Sequence, residues 1–472
     1  MDEQHAEHGD VFAERRDKLA AWRETGEAYP TQYQPRDEIG ALRAAYESLE
    51  AGQDAADARR VAGRVVARRV HGKLTFVVLK DMSGELQLFC QLGALGDERY
   101  EALEHVDLGD FVGAEGTMMR TRRGELSLRI TSWQLLSKSL RGMPEKYHGL
   151  TSVETRYRKR YLDLAANDDS REVFIKRARI IAAVRRFLDD RGFIEVETPV
   201  LQPLYGGALA KPFVTHHNEL ERDLYLRIAT ELYLKRCIIG GIDRVYEIGK
   251  DFRNEGVSFK HNPEFTMLEF YEAYVDYNHV MDTVEQMTAY AAEAVGALKV
   301  TFREHEIDLT PPWPRLTMRK AIENETGIDI GADDARTVED LQARIRDKSL
   351  ETVVPLVPTW GAQVDELFSE CVEPKLIQPV FITEHPLETS PFAKKTPHDP
   401  RFVERFEGFI AGMELSNAFS ELNDPDDQRE RFLQQMQDLA DGDETAHRLD
   451  EDFLEAMEHG MPPTGGLGMG LD

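Results

Sequence analysis

The arrangement of apolar and polar positions divides the chain into three stretches. Residues 1 to 60 follow a helical pattern rich in Ala, Glu and Arg, which Pro30 and Pro35 interrupt. From 61 to 147, five short runs rich in β-branched residues alternate with turn signals such as Ser83-Gly84. These runs are VAGRVVARRV, LTFVVLKD, ELQLFCQL, DFVGAEGTMM and ELSLRITSWQLL. We therefore predict an N-terminal helical extension and a small all-β barrel of five strands, the size of an oligonucleotide-binding fold (OB-fold).

Residues 148 to 472 form the third stretch, in which helical and strand patterns are mixed. It follows the segment SKSLRGMPEKYHGL, whose proline and glycines predict a connection between domains. The mixture predicts one large α+β domain.

The richest polar motif of this domain is VYEIGKDFRNEGVSFKHNPEFTMLEFYEAY. Its pattern predicts two antiparallel strands joined by a loop at residues 254–263. On the second strand Phe265, Glu269 and Tyr271 share one face, because side chains alternate along a strand. Arg253 ends the first strand on the same face. A guanidinium suits a carboxylate or phosphate, a ring suits a purine, and carboxylates suit an ammonium group. Together these residues favour a binding site over a salt-bridged sheet surface.

A second motif, RFEGFIAGMELSNAFSEL, has two apolar runs around residues 411–412. Folded as a hairpin at that turn, it places Glu407 and Glu414 opposite each other. Facing carboxylates repel each other unless a cation lies between them, and Mg²⁺ bound to phosphates prefers one or two protein carboxylates. Asn417 and Glu421 follow at spacings that suit the same pocket.

A third motif, YGGALAKPFVTHHNEL followed by YLRIATELYLKR, has paired glycines ahead of a strand pattern. Such glycines permit close approach of the backbone to a ligand. Glu231 lies where the strand pattern gives way to a helix. His216 and His217 have no Cys partner and no further His three or four residues away, so we expect a hydrogen-bonded structural role for them.

Composition and charge narrow the class of protein. The 472 residues are 41% hydrophobic with no apolar run near the length of a membrane helix. Three scattered cysteines and the lack of a signal sequence indicate the cytoplasm. The net charge of −28 argues against a polyanionic partner. However, positive residues cluster at 59–73 and 120–125, so the barrel keeps a candidate nucleic-acid face.

These motifs resemble those of a known enzyme family. RVYEIGKDFRNEGVSFKHNPEFTMLEFYEAY is similar to motif 2 of class II aminoacyl-tRNA synthetases. FIKRARIIAAVRRFLDDRGFIEVETPVLQ resembles their motif 1, a helix and then a strand ending at Pro199. GGALAKPFVTHHNEL, ATELYLKR and GMELSNAFSELND resemble the lysyl members of the class more than the aspartyl and asparaginyl members. From residue 61 to 472, the resemblance implies an α+β chain: an OB-fold barrel and an antiparallel catalytic sheet with flanking helices.

The resemblance also implies a reaction. The family joins an amino acid to ATP as an aminoacyl-adenylate and passes the acyl group to its tRNA. Arg253, as the catalytic residue, would bridge the α-phosphate and the carboxylate of L-lysine, so that positioning replaces a covalent nucleophile. Glu407 and Glu414 would hold Mg²⁺. Further ATP contacts would be Glu255, His261, Asn262 and Phe265. The lysine contacts would be Gly207, Glu231, Glu269, Tyr271, Asn417, Phe419 and Glu421.

By the same resemblance the barrel would bind the anticodon of tRNA(Lys). Unstacked bases need aromatic platforms and side chains that bond their edges. The matching residues are Phe76, Gln87, Phe89 and Glu125. The basic clusters would form the landing zone for the tRNA, and motif 1 implies a homodimer.

The final residues depart from the family pattern. Motif 3 of the class runs into an arginine that packs on adenine opposite Phe265, whereas this sequence ends with GLGMGLD. We therefore expect the C-terminal end of the catalytic domain to be missing, GGLGMGLD to leave an unfilled edge of the sheet, and lysine activation to be weak or absent.

Three other functions are alternatives to a lysine–tRNA ligase. An aspartyl- or asparaginyl-type enzyme needs a basic residue where this sequence offers Glu421 and Tyr271. A lysine ligase acting on a protein has no anticodon barrel. A non-catalytic tRNA-binding or regulatory synthetase paralogue would explain the absent arginine, but residues such as Arg253 and Glu414 are intact. The last is the alternative to a lysine–tRNA ligase that we carry forward.

Overall fold

The computed structural model describes residues 3–24, 29–143, 150–208, 210–258, 261–440 and 449–472, with the backbone alone for 3–10 and 437–440. The chain divides into two compact units, Met1–Val173 and Phe174–Asp472. The predicted boundary between residues 147 and 148 falls outside the described residues.

A closed five-stranded barrel is the centre of the first unit, with the strand order β1-β2-β3-β5-β4. The β3–β5 pair is parallel and the other pairs are antiparallel. A single 3₁₀ turn, Ala102–His105, lies between β3 and β4. The elements are α1 (Glu3–Glu24), α2 (Ile39–Ala45), β1 (Asp54–His71), β2 (Leu74–Lys80), β3 (Glu85–Gln91), α3 (Leu92–Leu95), α4 (Asp97–Glu101), β4 (Phe111–Arg120), β5 (Leu126–Ser137), α5 (Val153–Arg158), α6 (Arg160–Ala166) and the start of α7 (Asp168–Asp189).

The five predicted strand runs are confirmed as the five strands of the barrel. Alternation holds along them, since Val77 and Leu79 are buried in the interior while Phe76 lies on the outer face. Residues 54–60 were predicted to be helical, and this is wrong, because they form the start of β1 and pair with β4. The ladder with β4 overrides the helical propensity of this Ala- and Arg-containing segment.

Helix α1 packs on the barrel. Leu19 and Trp22 are buried, and the Trp22 ring meets Trp133 edge-on with centroids 5.5 Å apart. The N-terminal extension is therefore part of the barrel unit.

The same unit contains a buried ion-pair cluster. The fully buried ammonium of Lys138 lies 2.5 Å from Asp107 and 2.7 Å from Asp110.

The second unit contains an eight-stranded sheet and two small ones. Its 3₁₀ turns are Asp333–Ala335 and Glu373–Lys375. After the remainder of α7 its elements are β6 (Ile194–Glu195), β7 (Leu201–Gln202), β8 (Val214–His217), β9 (Arg222–Leu226), α8 (Glu231–Ile239), β10 (Arg244–Phe252), β11 (Glu264–Ala273), α9 (Tyr277–Glu293), β12 (Lys299–Phe302), β13 (His305–Asp308), β14 (Arg315–Thr317), α10 (Met318–Thr326), α11 (Val338–Asp347), α12 (Trp360–Cys371), β15 (Val380–Pro386), β16 (Phe402–Ile410), β17 (Met413–Ser420), α13 (Pro425–Ala440), α14 (Glu451–Glu458) and β18 (Thr464–Gly470).

The large sheet has the order β14-β15-β16-β17-β18-β11-β10-β6. Its six inner strands pair antiparallel, and the two outermost pairs are parallel. This confirms the predicted antiparallel sheet with flanking helices. The prediction that GGLGMGLD would leave an open sheet edge is wrong. Strand β18 lies inside the sheet and is paired with β11 on one side and β17 on the other.

The strand expected to end at Pro199 is much shorter than predicted. Only Ile194 and Glu195 pair with β10. Beyond them, the side chain of Glu247 accepts the Thr198 N–H at 3.0 Å and its hydroxyl at 2.6 Å. A carboxylate therefore takes the backbone donor that a longer ladder would need.

Among the described helices, none is both long enough and apolar enough to cross a membrane.

Candidate functional site

The site is one cavity of about 1290 Å³ in the second unit. Every residue that the sequence predicted for ATP, lysine or metal binding lies on its wall. These residues are Gly207, Glu231, Arg253, Glu255, His261, Asn262, Phe265, Glu269, Tyr271, Glu407, Glu414, Asn417, Phe419 and Glu421. The structure thus brings together residues that are up to 214 positions apart, between Gly207 and Glu421.

Strands β10 and β11 form the predicted strand–loop–strand element. Glu247 is paired with Glu269, and the strand end at Phe252 is paired with Glu264. The loop is closed by a hydrogen bond from Arg253 N to Pro263 O at 2.9 Å. Near its tip, Ser258 Oγ and His261 Nδ1 are 2.9 Å apart. Glu255, His261 and Asn262 are all exposed on this loop.

Arg253 is held at the mouth of the loop with its guanidinium available. The backbone beside it is fixed by Phe252 N to Arg227 O at 2.9 Å and by Asn254 N to Lys211 O at 2.8 Å. Its guanidinium carbon lies 5.1 Å from the centre of the Phe265 ring. Among the described residues, the side chain makes one hydrogen bond, a long one from Nε to Ile228 O at 3.5 Å. A cation and an aromatic platform therefore face the same part of the cavity.

Three carboxylates and a phenol form the far end of the cavity, which we call the acidic pocket: Glu231, Glu269, Tyr271 and Glu421. All four are at least nine-tenths buried. Glu269 accepts the Thr230 N–H at 2.9 Å and the Tyr271 hydroxyl at 3.0 Å. Burial, together with repulsion from Asp251 and Glu231, raises the pKa of Glu269 to about 8. Burial also raises the pKa of Glu421 well above its usual range. A ligand with ammonium groups would offset the cost of burying these carboxylates without a charged partner.

Two glycines shape the acidic pocket. Gly207 has a φ of +88°, and a side chain there would come within 3.1 Å of the Cβ atoms of Ala229 and Glu231. Gly466, on β18, packs against the faces of Glu421 and Tyr271 with no room for a Cβ. Sequence reasoning did not assign Gly466. The glycine-rich run GGLGMG inside a strand pattern was the available signal.

Lys235 is a second residue that sequence reasoning missed. It lies one helical turn after Glu231 on α8, and its Nζ is 2.5 Å from both Glu231 and Glu421. Burial opposes its charge, but attraction from the two carboxylates prevails and raises the pKa of Lys235. The signal was the spacing of four between Glu231 and Lys235 in ATELYLKR.

Glu407 and Glu414 are not opposite each other, which corrects the sequence prediction. The hairpin does turn at Ala411 and Gly412, with φ values of +56° and +67°. However, Glu407 pairs with Asn417, and Glu414 pairs with Phe409. The register shifts between these pairs, so β17 carries an extra residue that forms a bulge. Without that bulge, Glu414 and Asn417, three residues apart, would lie on opposite faces.

The two carboxylates nevertheless share the cavity wall and act on each other. Although Glu414 is exposed on the cavity wall, desolvation by the surrounding protein and the nearby Glu407 carboxylate raise its pKa. Arg405 Nη2 lies 2.5 Å from Glu407 Oε1, and its Nε bonds Asn417 Oδ1 at 3.0 Å. Phe419, two residues further along β17, lies with its ring centre 5.4 Å from Lys235 Nζ.

The donor set fits a magnesium ion shared with phosphates. In the described part of the chain, no group of three or more His, Cys, Asp or Glu side chains could hold a metal ion unaided. Mg²⁺ in nucleotide sites takes one or two protein carboxylates and completes its shell with phosphate oxygens and water. Glu407 and Glu414 provide that number.

The outer face of the barrel carries the other predicted residues. Phe76 and Phe89 are cross-strand partners with edge-on rings 5.6 Å apart. Gln87 lies on the same face and donates to Ser127 Oγ at 2.9 Å. Glu125 is exposed at the turn between β4 and β5. We call Phe76, Gln87 and Phe89 the ring face. It is a surface of the type that stacks unpaired bases.

Most of the basic residues predicted to form a landing zone are engaged within the first unit. Arg59 bonds the Tyr46 hydroxyl, and Arg64 bonds Gly109 O. Arg68 bonds Val106 O, and Arg120 bonds the carbonyls of Glu47 and Leu49. The predicted basic stripe is therefore less extensive than its sequence suggested. Arg69 is close to the ring face, with Nη2 3.4 Å from Gln87 Oε1.

Comparison with known proteins matches both units. The family of class II tRNA synthetases (D, K and N) matches residues 152–472, and the OB-fold nucleic acid binding domain matches residues 60–136. With the antiparallel sheet and its cavity, these matches define the chain as a class II tRNA synthetase with an OB-fold domain.

Individual relatives show which family within this class the chain belongs to. A lysine–tRNA ligase of Moorella thermoacetica is 52% identical over 465 residues, covering 98% of this chain and 93% of the relative. That of Bacillus subtilis is 48% identical over 472 residues, covering 99% and 94%. That of Dehalococcoides mccartyi is 54% identical over 415 residues, covering 88% and 82%. The chain belongs to the lysine–tRNA ligase family, which consists of ATP-dependent ligases.

Proposed function

We propose that this chain activates L-lysine with ATP and transfers the lysyl group to the 3′ end of tRNA(Lys). The observation that carries the proposal is the acidic pocket, which lies in the same cavity as Arg253 and Phe265. A lysine carboxylate oxygen would attack the α-phosphorus of ATP as the bond to the pyrophosphate oxygen breaks. A tRNA hydroxyl would then displace AMP from the acyl carbon.

The nucleotide would lie between the loop and the hairpin. Phe265 would stack on adenine, while Glu255, His261 and Asn262 would contact the adenosine or the distal phosphates. Arg253 would bridge the α-phosphate and the lysine carboxylate, because a planar guanidinium bonds two oxygens at once. Its position beside Phe265 supports this role.

L-lysine would span the acidic pocket. Glu231 and the backbone at Gly207 would receive the α-ammonium, and Glu421, Glu269 and Tyr271 would receive the ε-ammonium. Asn417 and Phe419 would complete the wall. Discrimination follows because a neutral side chain leaves buried carboxylates without a partner.

Magnesium would be held by Glu407 and Glu414, where it would neutralise charge on the triphosphate. We expect Glu414→Gln and Glu407→Gln to raise the Mg²⁺ concentration for half-maximal pyrophosphate exchange at least about tenfold. Glu404→Gln, on the opposite face of β16, is the matched control and should leave the Mg²⁺ requirement unchanged. A rise in the KM for lysine with no change in the Mg²⁺ requirement would contradict the assignment.

Lysine binding should depend on pH. The pKa of Glu269, about 8, is raised above its ordinary value, so the empty pocket holds a proton below pH 8. An incoming ammonium displaces that proton, so affinity should rise with pH by at least about tenfold between pH 6 and 8. The titratable groups that face Glu269 are Asp251, Glu231, Tyr271 and Glu421. Calorimetry in two buffers of different ionisation enthalpy would measure the released proton. An affinity that is flat with pH, or a Glu269→Gln variant with the wild-type slope, would contradict this.

The barrel would bind the anticodon through the ring face, with Glu125 beside it. Stacking on an aromatic ring contributes about 1–3 kcal/mol per base. We expect Phe89→Ala to raise the KM for tRNA(Lys) in aminoacylation about tenfold or more. Pyrophosphate exchange, which needs no tRNA, should be unchanged. An equal loss in both assays would show that the variant only perturbs the fold.

We further propose a homodimer in the cytoplasm. Exposed apolar side chains follow the motif 1 helix in the second unit, with Ile194 54%, Val200 40% and Leu201 48% exposed. Such residues support an interface between copies. Three free cysteines support a reducing compartment. Sedimentation of this chain as a single copy would contradict the dimer.

The decisive test is exchange of pyrophosphate into ATP with lysine, aspartate and asparagine as separate substrates. In contrast to the weak or absent activation expected from the sequence, we expect exchange with lysine alone, followed by charging of tRNA(Lys), because all the predicted ATP, lysine and metal residues lie on one cavity wall. Binding of tRNA without exchange would favour the non-catalytic paralogue, for which the described residues offer no specific support.

A further inference from the structure

Lys235 occupies an unusual position behind the acidic pocket. Its side chain is 0% exposed, and it does not form part of the cavity wall. Its Nζ lies 2.5 Å from Glu231 Oε1 and 2.5 Å from Glu421 Oε2. The rings of Phe392 and Phe419 lie 4.7 Å and 5.4 Å from the same ammonium. Both carboxylate partners, in contrast, are on the wall of the cavity.

The second oxygen of each carboxylate lies near a glycine of the cavity wall. The Oε2 of Glu231 lies 3.8 Å from the position of a Cβ at Gly207, and the Oε1 of Glu421 lies where it would collide with a Cβ at Gly466. Each carboxylate therefore has one oxygen next to Lys235 and the other next to a glycine of the cavity wall. A shared cation fixes both carboxylates in this orientation at once.

The number of charges in the acidic pocket also affects which ligand it binds. The pocket holds three buried carboxylates, those of Glu231, Glu269 and Glu421, and one buried ammonium, that of Lys235. When the ligand has displaced the bound protons and all three carboxylates are ionised, two negative charges remain, and these match the two ammonium groups of a diamino acid. Buried charges without partners are costly, so this balance decides which ligand enters.

We propose that Lys235 is a positioning residue that sets the charge and orientation of the acidic pocket so that it selects an amino acid carrying two ammonium groups. This deepens the proposed function and rests on it. Without the Lys235 charge, Glu231 and Glu421 would take up protons more readily. The pocket would then approach neutrality and lose its preference for lysine over an uncharged isostere such as norleucine.

The test compares Lys235→Met with Lys138→Met. Lys138 is a matched control because it is also fully buried and also bonded to two carboxylates, but it belongs to the barrel unit. Calorimetry would measure binding of L-lysine, norleucine and ATP to each variant at pH 7. We expect Lys235→Met to weaken lysine binding about 30- to 100-fold. Norleucine and ATP binding should stay within about threefold, and Lys138→Met should leave lysine binding unchanged.

A positioning role also shifts the pH profile. The titratable groups that face Lys235 are Glu231 on its own helix and Glu421 just after β17. Glu269 and Tyr271 on β11 face these two carboxylates in turn. Loss of the cation should displace the rise in lysine affinity to higher pH by one unit or more. A purely structural ion pair would weaken lysine and ATP binding together and leave the profile in place.

Several outcomes would overturn the proposal. Lysine binding within threefold of wild type would do so, as would equal loss of lysine and ATP binding. Lys235→Gln, which keeps hydrogen bonding without charge, provides a second variant if the methionine variant does not fold. Failure of both to fold would make the role one of general stability. If the wild-type chain binds lysine but does not exchange pyrophosphate, the proposed function fails while the comparison still decides the role of Lys235. If it binds no lysine, both fail.

Discussion

Replacing Arg253 by alanine should lower kcat/KM for lysine-dependent pyrophosphate exchange by about a thousandfold. The guanidinium lies beside Phe265 with one long hydrogen bond, so its donors are available for ligand oxygens. With no covalent nucleophile in the proposed reaction, the rate depends on holding two anions in line and neutralising the charge that develops between them. Removal of the residue that performs both tasks should reduce kcat as well as affinity.

Two variants sharpen this prediction. Arg253→Lys keeps the charge but loses the planar pair of donors, so we expect it to recover only part of the activity. Arg244→Ala removes an arginine at the start of β10, the strand that Arg253 follows; this arginine is half-exposed and paired with Glu272 at 2.7 Å. It should leave exchange within about twofold. Activity of Arg253→Ala near the wild-type level would remove Arg253 from the mechanism.

Gly466→Ala should raise the KM for lysine by about a hundredfold or more. A Cβ at this position would collide with Glu421 Oε1 and lie 2.5 Å from Tyr271 Cε1. The strand cannot shift to relieve the collision, because β18 is hydrogen-bonded to β11 and β17 on its two sides. The two side chains that would receive the ε-ammonium must therefore move.

Gly93→Ala is the control, because Gly93 lies in α3 of the barrel unit and not on the cavity wall. A Cβ at that position meets nothing within 4 Å. We expect wild-type KM values for lysine and ATP from this variant. Gly466→Ala should still bind ATP, which separates damage to the acidic pocket from global unfolding, and thermal denaturation would measure any loss of stability. An unchanged KM for lysine would show that the pocket tolerates the added methyl group.

Local patterns were sufficient wherever neighbours along the chain decide the structure. Period-two alternation and turn residues identified all five barrel strands and the β10–β11 element. They also identified the turn at Ala411 and Gly412. They failed at residues 54–60, where helical propensity gave way to pairing with β4. Here the partner strand lies about sixty residues further along the chain, so no local pattern could reveal it.

In the candidate site, too, local features were predicted and features that depend on distant segments were not. Its residue types were read from motifs whose chemistry is local, such as the guanidinium, ring and carboxylates around Arg253. The bulge that turns Glu414 toward Asn417 was not predicted, because one inserted residue reverses the facing of a strand without a clear signature. The sequence also did not predict that basic side chains of the barrel would donate hydrogen bonds to backbone carbonyls. Arg68 and Arg120 bond residues that are distant in sequence, which no local pattern reveals.

The sequence by itself determined the two kinds of domain, the strand–loop–strand element and the chemical types gathered for a charged ligand. These follow from periodicity, turn propensity and side-chain chemistry, which act over a few residues. Only the tertiary structure decided that Lys235 contacts both Glu231 and Glu421, that Gly466 packs against Glu421, and that β18 lies inside the sheet. Those outcomes depend on burial and on contacts between distant segments, where the cost of an unpaired charge or an overlapping atom is set by packing.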